Sequence, residues 1–221
     1  MAALVSAIGR QFGIRSFWDV GANIGYYTWL AKSIAPAAEA RMFEPDPDNL
    51  ALIRETKCRA GLLGIKVREV AVSDTPGVRC FARDRISAST GAILEDSVSY
   101  SQREWGVPAS ALTVAAVSLD NERAAAGAVD LIKIDVEGHE EAVIRGGLEM
   151  ICHDQPILIF ECFHGGSDII NALQRLGYVF IDADRMTADL RTTTNFLALP
   201  KRHHAVLDEL GRRWKDEVAR A

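Results

Sequence analysis

The densest chemistry in this 221-residue chain lies in Leu131-Ile132-Lys133-Ile134-Asp135-Val136-Glu137-Gly138-His139-Glu140. The apolar residues give it strand character, and along a strand Lys133 and Asp135 project to one face. A lysine inside an apolar run needs a counter-charge, and Asp135 supplies one. Asp135 also falls at the carboxyl end of the strand, where open α/β sheets bind ligands. Lys133, Asp135 and Glu137 therefore crowd ionisable groups at one strand end. Glu140 and Glu141 have a simpler reading, as anions in the first turn of a helix. His139 has one too, as a surface residue.

Two further stretches point to a nucleotide-like ligand. Glu44, in Phe43-Glu44-Pro45-Asp46, ends an apolar strand 23 residues after Gly21. A carboxylate about 20 residues beyond the first glycine is where nucleotide-binding α/β folds hold ribose hydroxyls. Asp46 reads better as a helix cap, with Pro47 at the first helical position. Asp19-Val20-Gly21-Ala22-Asn23-Ile24-Gly25-Tyr26-Tyr27 sits at a strand-to-helix junction. Its small residues let a ligand approach the backbone and the free N–H groups of a helix start. The spacing is Gly-x-x-x-Gly, not the Gly-x-Gly-x-x-Gly of dinucleotide binders.

The elements that must position these groups alternate. Leu4, Val5, Ile8 and Phe12 form a helical stripe. Strands are expected at 16–20, 40–44, 65–72, 129–134 and 156–161, with helices after the first, second and fourth. One helix between the last two carries Ile144, Leu148 and Ile151, and another follows with Ile169, Leu173 and Leu176. Two closing strands, 177–182 and 195–199, have no helix between them and should pair antiparallel. A helix with Leu207, Leu210, Trp214 and Val218 ends the chain. This pattern predicts an α/β three-layer sandwich around a mostly parallel, Rossmann-like sheet with an antiparallel last strand. The whole of 1–221 reads as one domain. Its irregular segment, 78–118, reads as a lid or substrate-recognition insertion with possible strands at 78–81 and 113–117.

Composition excludes several classes. Hydrophobic residues are 48% and charged residues 25%, an ordinary globular balance. Net charge is −5, which argues against nucleic acid as a partner. Cys58, Cys80, Cys152 and Cys162 lack zinc-site or disulfide-scaffold spacing. No apolar run is long enough for a membrane span, and no basic residue precedes the short apolar start, so no membrane partner and a cytoplasmic location are expected.

Asp-Val-Gly-Ala-Asn-Ile-Gly, Phe-Glu-Pro-Asp-Pro, Lys-Ile-Asp-Val-Glu-Gly-His-Glu and the closing Asn-Phe-Leu-Ala-Leu-Pro together resemble the FkbM-type methyltransferases. The resemblance runs from about residue 16 to 200 and is most specific at Lys-Ile-Asp-Val-Glu-Gly. It implies a class I methyltransferase sheet and S-adenosylmethionine as cofactor. It also implies an acceptor hydroxyl on a sugar, polyketide or related small metabolite. Asp19, Gly21, Asn23 and Gly25, with Ala22 and Tyr26, would line the methionine end of the cofactor. Glu44, with Pro45 beside it, would hold the ribose, and Val72 and Ser73 would flank the adenine.

An alcohol acceptor must lose a proton, and Asp135, Glu137 and His139 are the candidate bases. His139 has the best-suited ordinary pKa and Asp135 the better position. A metal-assisted variant would use Asp135 and Glu161, with His164 nearby. Cys162 stands where another hard ligand is expected, so no metal site is assigned. A nicotinamide-dependent oxidoreductase and a catalytically silent binding module are the other readings. In the insertion, Tyr100 and Trp105 either stack on the acceptor or pack the lid. Ser87, Ser89 and Thr90 either bond its hydroxyls or form a solvated turn. The apolar stripe of the last helix packs on the sheet or on a second subunit, which leaves a homodimer open.

Overall fold

The computed structural model describes residues 1–83, 91–93, 110–162 and 167–220. The first half alternates α1 (Ala2–Phe12), β1 (Ser16–Val20), α2 (Tyr26–Ile34), β2 (Glu39–Phe43), α3 (Pro47–Ala60) and β3 (Ile65–Arg68). A short β4 (Ala71–Val72) leads to β5 (Gly77–Arg83), β6 (Ala92–Ile93) and β7 (Ser110–Val117). The chain then forms α4 (Leu119–Ala126), β8 (Leu131–Ile134), α5 (Glu140–Arg145), α6 (Leu148–Asp154) and β9 (Ile157–Glu161). It closes with α7 (Ser167–Arg175), β10 (Tyr178–Asp182), β11 (Asn195–Pro200), a 3₁₀ turn and α8 (Leu207–Arg220).

The main sheet has seven strands in the order β10-β11-β9-β8-β1-β2-β3. Strands β3, β2, β1, β8 and β9 run parallel, and β11 is antiparallel to both β9 and β10. The expected antiparallel last pair is therefore present. Strict alternation splits each strand between two faces. Phe17, Leu131, Ile157, Ile159, Leu197 and Leu199 meet α1, α2 and α8 on one side. Trp18, Val20, Ile132, Ile134, Leu158 and Phe160 meet α4 to α7 on the other. Helix α3 covers β2 and β3 through Ile53 against Ala40, Met42 and Ile65. Each fully buried large side chain contributes roughly 1.5–3 kcal/mol, so a parallel sheet apolar on both faces is well held. The stripe of α8 meets this core through Leu210 and Trp214.

Three expectations are corrected. The strand read as 65–72 divides after Arg68, because Ala71 and Val72 pair with Ala116 and Val117 of β7 instead of staying on the main sheet. The single helix read through Ile144, Leu148 and Ile151 is two, α5 and α6, parted at Gly146-Gly147. A Cβ on Gly146 would lie 2.3 Å from the Ser73 carbonyl oxygen, so the chain needs a glycine there, where helix preference is weakest. Helix α4 was not expected, although Ser118 is its N-cap and accepts from the Asn121 N–H. In the segment read as irregular, β5 and β7 pair antiparallel from Gly77↔Ala116 to Arg83↔Ser110 within a second sheet, β4-β7-β5-β6. No disulfide joins the four cysteines among the described residues. No helix among the described residues is long and apolar enough to cross a membrane.

Candidate functional site

Strand β1 delivers Asp19 and Val20 to a turn that only glycine can make. Gly21 adopts φ 71°, and a Cβ there would sit 1.9 Å from the Asp135 carbonyl oxygen. The turn thus nests against the end of β8. Asn23 (φ 52°) and Gly25 (φ 84°) continue in the left-handed region, and α2 begins at Tyr26. Asp19 is fully buried below the turn. Its Oδ2 accepts from the Thr28 N–H (3.1 Å) and Oγ1–H (2.9 Å), which satisfies a first-turn donor of α2.

Parallel register places Lys133 directly across from Asp19. Lys133 Nζ lies 3.1 Å from Asp135 Oδ2, 3.8 Å from Asp19 Oδ1 and 4.7 Å from the Tyr27 ring centroid. The sequence identified the Asp135 partner, but the Asp19 partner depends on strand register. Burial alone would lower the Lys133 pKa, yet Asp19 and Asp135 outweigh it and the net direction is up. Burial also raises the Asp19 carboxyl, with Lys133 and Thr28 opposing it.

Glu44 is 4% exposed at the end of β2. Its Oε2 accepts from the Asn23 N–H at 2.8 Å; Oε1 accepts from the Asp46 N–H at 2.9 Å and Asn49 Nδ2 at 3.3 Å. Burial pushes its pKa to about 7 against the pull of these donors. Asp46 caps α3 by accepting from the Asp48 N–H, as the sequence implied. It also holds Arg83 of β5, whose Nε lies 2.7 Å from Asp46 Oδ2. Arg83 reaches Asp48 as well.

Beyond β8, Glu137 adopts φ 55°, a left-handed conformation costing about 1 kcal/mol or more for a non-glycine residue. Glu140 holds it there, accepting from the Val136 N–H (3.2 Å) and the Gly138 N–H (3.0 Å) on either side. Glu140 is thus more than a helix-end anion. Glu137 is raised to about 7 by burial and by Asp135 and Glu140. Glu161, at the end of β9, is raised to about 7 by burial and by Asp135 and Glu137. His139 lies elsewhere: it is buried, with Nε2 2.9 Å from Ser73 Oγ.

A cavity of about 610 Å³ opens along the carboxyl ends of β1, β2 and β8. Of the residues singled out in sequence, Gly21, Ala22, Asn23, Tyr26, Glu44, Pro45, Val72, Asp135 and Glu137 line it. Asp19 and Gly25 support the loop from beneath, while Ser73 and His139 pair with each other behind it. The sequence reading missed Asn49, Phe81, Arg83 and Ile93 as wall residues, since the last three arrive on the second sheet. Ser87, Ser89, Thr90, Tyr100, Trp105 and His164 lie outside the described residues.

The wall suits a nucleoside with a charged tail. A carboxylate offers about four acceptor positions, and three on Glu44 are engaged among the described residues, leaving Oε2 able to take a hydroxyl. Ala71, Val72, Phe81 and Ile93 give an apolar flank for a flat ring. The carboxyls Asp135 and Glu137 stand at the other end.

Comparisons with known proteins agree with this geometry. The sequence model of the Methyltransferase FkbM domain matches residues 19–180. The 2-O-methyltransferase NoeI of Sinorhizobium fredii is 30% identical over 141 residues, 60% of this chain and 57% of that protein. The hexuronic acid methyltransferase AglP of Haloferax volcanii is 31% identical over 134 residues, 58% of this chain and 48% of that one. The chain therefore matches about half the length of these curated relatives. A crystal structure of methyltransferase FkbM from Methylobacillus flagellatus shares the fold, with TM-score 0.57 and 16% identity over 88% of this chain and 47% of that one.

Proposed function

The chain belongs to the FkbM methyltransferase family, and from that premise we propose that it is an S-adenosylmethionine-dependent O-methyltransferase. Its acceptor is a hydroxyl of a sugar, polyketide or related small metabolite. The observation that carries this reading is the single 610 Å³ cavity joining a buried ribose-type carboxyl, Glu44, to the carboxyls Asp135 and Glu137. The two curated relatives, one of them a 2-O-methyltransferase by name, support the reaction class.

S-adenosylmethionine, when bound, supplies an electrophilic methyl group on sulfur. Gly21, Ala22, Asn23, Tyr26, Glu44, Pro45 and Val72 would hold it, with Glu44 accepting from ribose hydroxyls. The leaving thioether is neutral, so the protein's main tasks are alignment and removal of the acceptor proton. Alignment is worth up to about 7–11 kcal/mol in favourable cases, and a positioned base about 10²–10⁴-fold. Asp135 and Glu137 line the cavity and are the bases we assign. A Glu137 pKa of about 7 suits proton transfer near neutral pH. His139, bonded to Ser73 away from the cavity wall, supports the loop instead.

The test is transfer of labelled methyl from S-adenosylmethionine to a panel of sugars, nucleotide sugars and polyketide alcohols, alongside calorimetry with S-adenosylhomocysteine. Binding of the product nucleoside and transfer to a hydroxyl are expected. Failure to bind S-adenosylhomocysteine would overturn the reading, as would binding of NADH in its place.

A further inference from the structure

A second cavity of about 200 Å³ adjoins the first at the carboxyl edge of the sheet. Tyr27, Lys133 and Asp135 line both cavities, so they form the partition where the two meet. The smaller one adds Glu161 and Asn195, and an apolar floor that includes Ile159 and Phe160. Resting on the methyltransferase reading above, we propose that this smaller cavity is the acceptor site. It takes an electroneutral hydroxylated ring and discriminates against acceptors bearing a carboxylate or phosphate.

Strand register builds the site. Ile134 pairs with Phe160, which brings Asp135 level with Glu161, and antiparallel pairing sets Asn195 directly opposite Glu161. Three polar side chains thus stand abreast on β8, β9 and β11, at the neighbour-strand spacing of about 4.8 Å. Burial and the neighbouring carboxyls of Asp135 and Glu137 push Glu161 up to about 7. Hydroxyls on one face of a ring can donate to the two carboxyls, while Asn195, whose Nδ2 already donates to Asp184 Oδ2 at 2.8 Å, accepts at its oxygen and donates its second N–H. The volume is below the roughly 300 Å³ at which pockets for drug-sized ligands begin, so a single ring is the fitting occupant.

Charge sets the selectivity. Lys133 is the one side-chain cation among the described wall residues of this cavity, and Asp19 and Asp135 already engage it. Burial apart, the groups that act most strongly on Glu161 are the carboxyls Asp135, Glu137 and Glu140. Met1 also lines the cavity, its side chain packed with the apolar cluster of α1; its amino group adds one cation, which the carboxyls of Asp135, Glu161, Glu137 and Glu140 outnumber. An anionic acceptor would enter a field of its own sign with no unengaged side-chain cation on the described wall.

Saturation-transfer NMR on the full chain, saturated with S-adenosylhomocysteine, tests this. The probes are a panel of methyl hexopyranosides and the matching hexuronic acid glycosides. At least one neutral glycoside should receive saturation, and its uronate should bind at least tenfold more weakly. Glu161→Leu and Asn195→Leu should each abolish the neutral signal while S-adenosylhomocysteine binding, followed by calorimetry, is retained. Equal binding of the uronates overturns the proposal, as does a neutral signal that survives both substitutions, or no neutral member binding at all. Loss of S-adenosylhomocysteine binding by the unaltered protein would instead overturn the methyltransferase reading.

Discussion

Glu44→Gln separates the structural role of this carboxyl from its ligand role. The glutamine amide has one oxygen where the carboxylate has two. With that oxygen toward Asp46 and Asn49, the Asn23 N–H loses this acceptor; in the reverse orientation the Asp46 N–H does. Leaving such a buried donor unmatched costs about 1–3 kcal/mol. The opposing effect is charge. Glu44 has an ordinary value of 4.5 and stands at about 7 in the fold. Its folded value is the higher one, so the folded state binds the extra proton between those limits. Stability from this group is therefore fully present below pH 4.5 and is lost as pH rises through 7. At about 1.4 kcal/mol per tenfold in proton affinity, that window is worth roughly 3 kcal/mol. Urea unfolding should find Glu44→Gln less stable than the parent by 1–3 kcal/mol at pH 4.5. That deficit should shrink by up to about 3 kcal/mol at pH 8. Calorimetry should show S-adenosylhomocysteine binding at least tenfold weaker, the loss of a hydrogen bond to a charged acceptor. Parallel stability curves for the two proteins between pH 4.5 and 8 would refute the charge-burial argument. Unchanged nucleoside affinity would refute the ribose role.

Other substitutions probe the rest of the site. Asp135→Asn or Glu137→Gln should lower kcat about 10²–10⁴-fold in the labelled methyl-transfer assay, whichever is the base. His139→Ala should instead cost about 1 kcal/mol in urea unfolding with kcat nearly kept, because Ser73 Oγ loses the His139 hydrogen bond and keeps its bond to Asp74 Oδ1. Lys133→Met leaves Asp19 and Asp135 without their cation, and thermal unfolding should report a loss of about 3–5 kcal/mol. Gly21→Ala combines a φ of 71° with a Cβ placed 1.9 Å from a backbone oxygen. It should lower the melting temperature more than Gly61→Ala, where the φ is 60° but no atom lies within 4 Å.

Much of the site was readable along the chain because its signals are local. Glycine at 21 and 25, the Asp46-Pro47 cap and the strand-end positions of Glu44 and Asp135 all follow from spacing a few residues long. The alternation of strands and helices, and the antiparallel closing pair, follow from periodicity and connection length in the same way. These local signals determined the sheet, the edge of it where the cavity opens, and many of the residues on the cavity wall.

Tertiary structure decided what depends on register and on packing between distant segments. Asp19 and Lys133 are 114 residues apart, and only parallel pairing of β1 with β8 makes them partners. Asp135, Glu161 and Asn195 stand abreast for the same reason. His139 follows Glu137 by two residues, yet the left-handed turn at Glu137 and Gly138 carries it to Ser73 and away from the cavity wall. The break after Arg68 arises because β7, more than 40 residues later, pairs with Ala71 and Val72. Side-chain spacing along one strand is fixed by covalent geometry, whereas its neighbour across the sheet is fixed by which strands the whole chain brings together.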